Sequence, residues 1–275
     1  MKHHLAIGSH HKTGTHWMRN VFRQFAKSVG APFIDLSYTD KLDATEKFHR
    51  HEAARKRVVV FHEHSQFPPF VHDPSGAGFR GVRIVRDPRD VLVSAVNYHR
   101  KTDAGWVNKP QKRHGGLSLK DKLAKLPDDE ARYFYEIDHV IEPTLTRMRD
   151  FRHGEVFADV AYEDLVTDRD LALTDRMFGW LGLEAEDAAP AARAMWDNSL
   201  FGTLRREGND HISHGGARQF EARMSADVLA RFEARYADVV RALGYADDPN
   251  PRALTALAQD APGLVTDDIR QSVTG

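Results

Sequence analysis

The chain contains no cysteine, no excess of charge of one sign and no long apolar run. The absence of cysteine excludes a disulfide framework, zinc–thiolate sites and thiol catalysis. Lys and Arg number 39 against 40 Asp and Glu, so no overall field would attract nucleic acid or membrane, and any anion site must be local. No run approaches the roughly 20 apolar residues of a membrane-spanning helix. The first apolar stretch is too short for a signal peptide, so we expect a cytoplasmic protein without membrane insertion.

The chain does contain enough apolar sequence for one sizeable core. Its 275 residues are 41% hydrophobic and 29% charged, proportions that are usual for a globular α/β domain. No internal repeat, low-complexity linker or second core is evident. We therefore expect one domain over residues 1–246. The tail over 247–275 is expected to be loosely held or packed on that domain.

Four short apolar runs predict strands, at Leu5–Gly8, Val58–Phe61, Val82–Val85 and Val156–Ala161. Their unbroken apolar character is typical of strands buried on both faces of a parallel sheet. Helical periodicity and capping residues alternate with these runs. They predict helices around 17–25, from 88 to about 98, and over 128–149, 170–181, 188–196 and 225–243. This alternation predicts an α/β fold, a parallel sheet flanked by helices.

A segment suited to an anion follows the first strand directly. A turn between a strand and a helix presents unpaired N–H groups and the positive end of the helix dipole. Within it, Gly14 permits close approach, Lys12 adds a charge, and Thr13 and Thr15 add hydroxyl groups. The Walker A spacing, in which Lys follows its Gly, is absent, which disfavours an ATPase or GTPase. The alternative interpretation is a tight turn with a solvated Lys.

A second segment of the same kind follows the third predicted strand. Arg86 ends the strand, Asp87 and Pro88 begin a helix, and Ser94 lies two turns along it. An Arg in this position can bind a phosphate through two parallel hydrogen bonds. In the alternative interpretation Arg86 pairs with Asp90 and Ser94 faces solvent.

The second predicted strand ends in a cluster of titratable residues, His62, Glu63 and His64. A hydroxyl is a poor nucleophile until its proton leaves, and imidazole titrates near neutral pH, so either His is a candidate general base. Two His on one strand face also suggest a metal site, but no matching third ligand is evident. An ordinary strand-end His is a further alternative.

Taken in order, these segments resemble the motifs of the sulfotransferases that use 3′-phosphoadenosine 5′-phosphosulfate (PAPS). Residues 12–17 are similar to the family's Lys-Ser-Gly-Thr-Thr-Trp, with His16 in place of the second Thr. Arg86 and Ser94 keep the family's spacing, and the strand ending at His62 is similar to one that ends in Lys-Thr-His. The resemblance implies a P-loop NTPase-like fold with three α/β/α layers.

The resemblance also implies a role for each matched residue. His62 would be the catalytic base, with His64 and Glu63 as alternatives, and Lys12 would hold the bridging oxygen and the sulfuryl group. The other matches imply nucleotide contacts: Gly14 and Thr15 at the 5′-phosphate, with Thr13 and His16 in the same binding loop, Trp17 and Tyr162 at the adenine, Arg86 and Ser94 at the 3′-phosphate, and Ser199 and Gly215 in weaker motifs. Arg218 would replace the charge of an Arg-Lys pair that the family carries near the 3′-phosphate.

The activity implied is transfer of a sulfuryl group from PAPS to a hydroxyl or amine acceptor, with 3′-phosphoadenosine 5′-phosphate (PAP) as product and no metal. The acceptor class is a small molecule or a carbohydrate, and the basic segment over 100–114 is expected beside it. The family's dimerisation pattern is not preserved, so no oligomeric state is predicted. Alternatives are a P-loop small-molecule or nucleotide kinase and a non-catalytic nucleotide-binding module.

Overall fold

The computed structural model describes residues 1–72, 78–202, 216–246 and 263–274. Its strands are β1 His4–Gly8, β2 Phe33–Asp35, β3 Val59–His62, β4 Phe79–Val85 and β5 Phe157–Ala161. Its α-helices are α1 Thr15–Ser28, α2 Lys41–Ala53, α3 Pro69–His72, α4 Pro88–Lys101, α5 Gly105–Asn108, α6 Leu119–Ala124, α7 Asp129–His139, α8 Glu142–Arg149, α9 Tyr162–Leu165, α10 Ala172–Leu181, α11 Ala185–Asp197, α12 Phe220–Arg223, α13 Ala226–Ala242 and α14 Asp267–Thr274. A 3₁₀ turn covers Lys112–His114.

The strands form a single parallel sheet in the order β2-β3-β1-β4-β5. The parallel α/β fold predicted from the sequence is therefore confirmed. β1 is the central strand, and its last residue, Gly8, lies opposite His62 of β3 and Arg83 of β4. The carboxyl ends of β1 and β3 consequently meet at one edge of the sheet, which is where parallel sheets carry their functional residues.

The described residues form two compact units, each built from separate stretches of chain. The first unit takes residues from 1–85, 151–215 and 252–275 and contains the whole sheet. Alternate side chains of each strand face opposite ways, so both faces need cover. On one face Leu5 and Ile7 pack with α1, α10 and α11, and on the other Ala6 and Val60 pack with α2 and α3.

The second unit takes residues from 86–150 and 216–251 and is entirely helical in its described part. Its main core lies between α4, α7, α8 and α13 and includes Val91, Leu145 and Phe232. A smaller cluster beneath α5 and α6 is formed by Val107, Leu119 and Leu123. Each helix therefore buries one apolar stripe, as expected of amphipathic helices.

Helix α14, near the end of the chain, packs on the first unit. Val265 and Val273 are buried in the core that α1 and α11 share. Arg193 of α11 donates to the carbonyl oxygens of Ser272 and Val273, and Asp175 accepts the Val265 N–H. The segment is thus held by apolar burial and by side-chain bonds to its backbone.

The structure differs from the sequence prediction in several elements. The helix predicted over 128–149 is broken into α7 and α8, because Pro143 cannot donate a hydrogen bond within a helix and begins a new one instead. Tyr162 directly follows β5 and opens the helical turn α9. The sequence also gave no signal for β2 and α2, which are respectively very short and only weakly amphipathic.

His4 of β1 is buried within the first unit and must stay neutral there. Its Nδ1 accepts the N–H of Val58 at 3.0 Å, and its ring contacts Phe48 and Phe79. Burial, with a smaller contribution from nearby Arg57, lowers the pKa of His4 from 6.5 to about 4. Protonation would therefore oppose folding.

We expect the His4 imidazole to make the protein less stable as the pH decreases. As pH decreases from about 6.5, the unfolded chain takes up the proton first, so the free energy of unfolding decreases until about pH 4 and then levels off. The total loss is at most about 3 kcal/mol. Urea unfolding of His4→Gln, which keeps an acceptor for Val58, should show a shallower decline over this interval. Exposed His49→Gln is the control, and equal slopes for His4→Gln and the parent would contradict the prediction.

Gly81 of β4 is expected to tolerate no side chain. A Cβ there would lie 2.5 Å from Cε1 of Phe157 and 2.8 Å from the carbonyl oxygen of Ala6. Gly81→Ala should therefore lower the free energy of urea unfolding by about 1–3 kcal/mol through overpacking. Gly105→Ala is the matched control, since nothing lies within 4 Å of its Cβ and Ala favours a helix. Equal stabilities for the two variants would refute this packing account.

Candidate active site

The loop between β1 and α1 is held by its own hydroxyl groups. The Thr13 hydroxyl accepts the His10 N–H at 2.8 Å and donates to the His10 carbonyl at 3.0 Å. Thr15 donates to the same carbonyl at 2.8 Å, and Ser9 donates to the Thr15 hydroxyl at 3.1 Å. These hydroxyls, expected from the sequence to meet a ligand, thus also set the shape of the loop.

The end of this loop leaves the first turn of α1 without a side-chain cap. Gly14 is the N-cap residue, has φ of 97° and supplies no side-chain bond. Lys12 also lies in the left-handed region, with φ of 68°, a strained conformation for a residue with a side chain. An uncapped helix start preceded by a strained Lys is a suitable place for an anion. His16, exposed on the first turn, follows directly.

Two aromatic side chains predicted to meet an adenine lie together beside this loop. The rings of Trp17 and Tyr162 are 6.1 Å apart in an edge-to-face arrangement. A Cβ added to Gly14 would come within 3.2 Å of Tyr162 Cδ2, so the loop passes close to this ring. Trp17 Nε1 is buried and has no hydrogen-bond partner within the described part of the chain. This buried donor suits a polar ligand group.

The carboxyl ends of β1 and β3 are joined by Ser65. Its hydroxyl donates to the Ser9 carbonyl at 2.9 Å, while the His62 carbonyl accepts N–H groups from Ser9 and Ser65. A Cβ on Gly8 would lie only 2.6 Å from the Ser65 hydroxyl oxygen, so a larger residue there would have to displace this hydroxyl. The anion loop and the turn after β3 therefore start from a shared, tightly bonded edge.

The predicted base candidates lie in that turn. His62 is 8% exposed, and its Nδ1 accepts the backbone N–H of His64 at 2.9 Å. The His64 side chain is 36% exposed, and its Nε2 lies 3.7 Å from Oε1 of Glu63. No group of three or more metal-binding side chains was found in the described ranges, and the two His form none with their neighbours.

Sequence reasoning missed Arg19 of α1, which is buried behind this turn. Its Nη2 donates to Glu63 Oε2 at 2.8 Å, and its Nε lies 3.0 Å from Asp35 Oδ2, a charge contact rather than an aligned hydrogen bond. Arg19 precedes Phe22 by three residues and therefore lies on the apolar stripe of α1. A charged residue among the apolar positions of a helix indicates a buried ion pair, and this was the feature of the sequence that could have revealed Arg19.

Arg86, the first residue of the second unit, is also buried. Its Nη2 lies 3.5 Å from Asp90 Oδ2 and donates to the Gly216 carbonyl at 3.2 Å. Asp90 Oδ1 accepts the Phe220 N–H, and burial raises the pKa of this carboxyl, partly offset by Arg86. The pairing of Arg86 with Asp90, considered above as the alternative interpretation, is thus present.

The other predicted residues lie on separate elements. Ser94 is half-buried on α4, and Ser199 is fully buried, its hydroxyl donating to the Trp196 carbonyl. Arg218 forms an ion pair with Glu221. Gly215 lies outside the described residues. No helix among the described residues is long and apolar enough to cross a membrane.

Comparison with known proteins identifies the fold. No family model and no curated sequence matches the chain. Among solved structures, it is similar to mouse sulfotransferase SULT7A1 complexed with PAP, with a TM-score of 0.56 and 16% identity over 88% of this chain and 86% of that one. It is also similar to retinol dehydratase in complex with androsterone and the inactive cofactor PAP, with a TM-score of 0.50 and 15% identity over 86% and 80%. The chain therefore has the fold of the PAPS-dependent sulfotransferases.

The internal bonding of the loop yields a stability prediction. Thr13→Val preserves shape but leaves the buried His10 N–H without its acceptor, so the free energy of unfolding should decrease by about 1–3 kcal/mol. Thr274→Val removes an exposed hydroxyl that bonds a helix carbonyl and should change stability little. Urea unfolding of both variants measures the difference. A Thr13→Val protein as stable as its parent would show that the hydroxyl does not hold the loop.

Proposed function

We propose that this protein transfers a sulfuryl group from PAPS to a hydroxyl or amine acceptor. The observation that carries the proposal is the uncapped start of α1 at Gly14, beside the paired rings of Trp17 and Tyr162. An uncapped helix N-terminus suits the 5′-phosphosulfate, and aromatic rings suit the adenine. The similarity in fold to two structures that contain PAP supports this choice of nucleotide.

In the proposed reaction with a hydroxyl acceptor, the acceptor oxygen attacks sulfur in line with the departing phosphate oxygen. The new O–S bond forms as the bond from sulfur to the bridging oxygen breaks, and the electron pair leaves with PAP. Lys12 is proposed to stabilise charge on that bridging oxygen, and a His takes the acceptor's proton. The protein contributes positioning and electrostatic stabilisation, as in phosphoryl transfer.

The remaining nucleotide contacts stay as predicted from the resemblance. Arg86 and Ser94 are proposed to bind the 3′-phosphate, for which Arg86 would exchange its long contact to Asp90 for a phosphate oxygen. Arg218 would have to leave Glu221 before it could contribute. Ser199 is fully buried, so a role for it is proposed through its backbone rather than its hydroxyl.

The acceptor is proposed to be a small molecule or a carbohydrate. The segment over 100–114 carries five Lys or Arg and one Asp, with half-exposed Trp106 on α5. Such a segment favours an anionic, sugar-like or aryl group. A panel of hydroxyl acceptors of these kinds, tested with sulfur-labelled PAPS, separates a sulfotransferase from a non-catalytic nucleotide-binding module.

Calorimetry tests the nucleotide. We expect PAP to bind at micromolar Kd and ATP much more weakly. Gly14→Ala should weaken PAP binding at least about tenfold, corresponding to about 1.4 kcal/mol, because the new Cβ displaces Tyr162 and distorts the loop. Gly30→Ala is the matched control: its φ is also positive, at 68°, but nothing lies within 4 Å. Both variants should lose similar stability through backbone strain, and only Gly14→Ala should lose PAP affinity.

Equal binding of PAP and ATP would support a kinase instead. If neither nucleotide binds, the proposed function is wrong. If Gly14→Ala and Gly30→Ala bind PAP equally well, the nucleotide does not occupy this loop.

A further inference from the structure

The turn after β3 presents two imidazoles whose hydrogen bonds differ. The sequence resemblance aligns His62 with the family's base, and the proposed function leaves the choice between His62 and His64 open. Which nitrogen atom takes the acceptor's proton is a question that rests on that proposed function.

His62 has its ring held in one tautomer by the backbone. A peptide N–H can only donate, so the bond from the His64 N–H makes Nδ1 of His62 an acceptor. The neutral ring must then carry its proton on Nε2. In this state Nε2 can donate a hydrogen bond but has no lone pair with which to receive a proton. His4, whose Nδ1 accepts the Val58 N–H, shows the same arrangement at the other end of the sheet.

His64 is placed differently. It is the more exposed of the two rings, and its Nε2 lies 3.7 Å from the Glu63 carboxylate. When Nε2–H is directed at this carboxylate, the lone pair lies on Nδ1. A carboxylate beside an imidazole also stabilises the protonated ring, as a general base requires after it has accepted a proton.

Glu63 is itself held by hydrogen bonds and ion pairs. Its Oε2 accepts from Arg19, its backbone N–H donates to the Ser37 hydroxyl at 3.0 Å, and Arg19 contacts Asp35. The Arg19 guanidinium also lies 4.9 Å from the centre of the Phe61 ring. Arg19 belongs to α1, the same helix whose start forms the anion loop. The helix that would hold the donor therefore also positions the carboxylate beside His64.

We propose that His64 is the general base of this protein and that Glu63, Arg19 and Asp35 are its positioning residues. The acceptor O–H gives its proton to Nδ1 of His64 while the O–S bond forms and the bond from sulfur to the bridging oxygen of PAPS breaks. His62 stays neutral and donates from Nε2 to an oxygen of the reacting groups.

The groups that face His64 in this arrangement set its pH response. The Glu63 carboxylate lies 3.7 Å from His64 Nε2, and the titratable ring of His62 lies 6.2 Å from the His64 ring. Arg19 contacts both Glu63 and Asp35, and Arg23 lies 3.4 Å from Asp35. Glu63→Gln keeps the size and hydrogen-bonding capacity of the side chain but removes its charge. The imidazolium then loses its counter-charge, so the pKa of His64 should fall.

Nuclear magnetic resonance of protein labelled with ¹⁵N-histidine tests the hydrogen bonds without turnover. The signals of His62 and His64 among the 16 His are assigned by their loss in His62→Gln and His64→Gln. We expect His62 to show a proton on Nε2 and none on Nδ1 at pH 8. The titration midpoint of His64 should move to lower pH by about one unit in Glu63→Gln. A His62 with its proton on Nδ1, or an unmoved His64 midpoint, overturns the proposal.

Turnover tests the catalytic assignment. His64→Gln should lower kcat by about 10² to 10⁴ with PAP affinity unchanged, and His62→Gln should lower kcat less than about tenfold. In Glu63→Gln the acidic limb of the profile of kcat/KM against pH should move in the same direction as the His64 midpoint. His49→Gln, far along the exposed side of α2, is the control for a lost surface His and should match the parent.

Other results would contradict the assignment of His64 as the base. A larger loss of kcat in His62→Gln than in His64→Gln returns the base to His62 and overturns the proposal. Loss of activity in Glu63→Gln at every pH, with little effect of either His variant, assigns the proton to Glu63 instead. If the parent protein binds PAP but sulfates no acceptor, the proposed function and the catalytic role fail together, while the resonance experiment still decides whether His62 is locked and Glu63 is coupled to His64.

Discussion

The parallel pairing of β1 with β3 and β4 is the constraint on which the rest of the site depends. Because the strands run the same way, the anion loop after β1 and the titratable turn after β3 begin at one edge, with Gly8 opposite His62. Every residue of β1 is buried, so a shift in its register would expose apolar side chains and misplace the loop. The bond from Ser65 to Ser9 then fixes the two segments to each other.

Much of this architecture could be predicted from the sequence because buried parallel strands are continuous apolar runs. An apolar run such as Val58–Phe61 is compatible with few structures other than a buried strand. The missed strand, β2, is only three residues long and lies on the edge of the sheet, where less apolar sequence is needed. The missed helix α2 buries little besides Ala44 and Phe48, so its periodicity is weak. The break before Pro143 could be predicted from the residue type alone, since Pro cannot donate a hydrogen bond within a helix.

At the candidate site, sequence motifs predict residue positions but not hydrogen bonds. Motif order could locate Lys12, Gly14 and His62, because those predictions depend on residue type and spacing. It could not reveal that the His64 N–H occupies one nitrogen of His62, since that bond depends on the path of the backbone. Nor could it connect Arg19 to Glu63, which are 44 residues apart in sequence. Alignment can therefore match a residue type without showing the hydrogen bonds that decide its chemistry.

The position of α14 has a consequence for the order in which the two units fold during translation. Val265 and Val273 complete an apolar core whose other members begin at Leu5, and the whole second unit is encoded between them. During translation the chain emerges from the ribosome in sequence order, and domains tend to fold as their residues appear. The second unit can assemble while the first still lacks its last helix. The nascent first unit would then expose part of its core to chaperones until residues 263–274 have emerged.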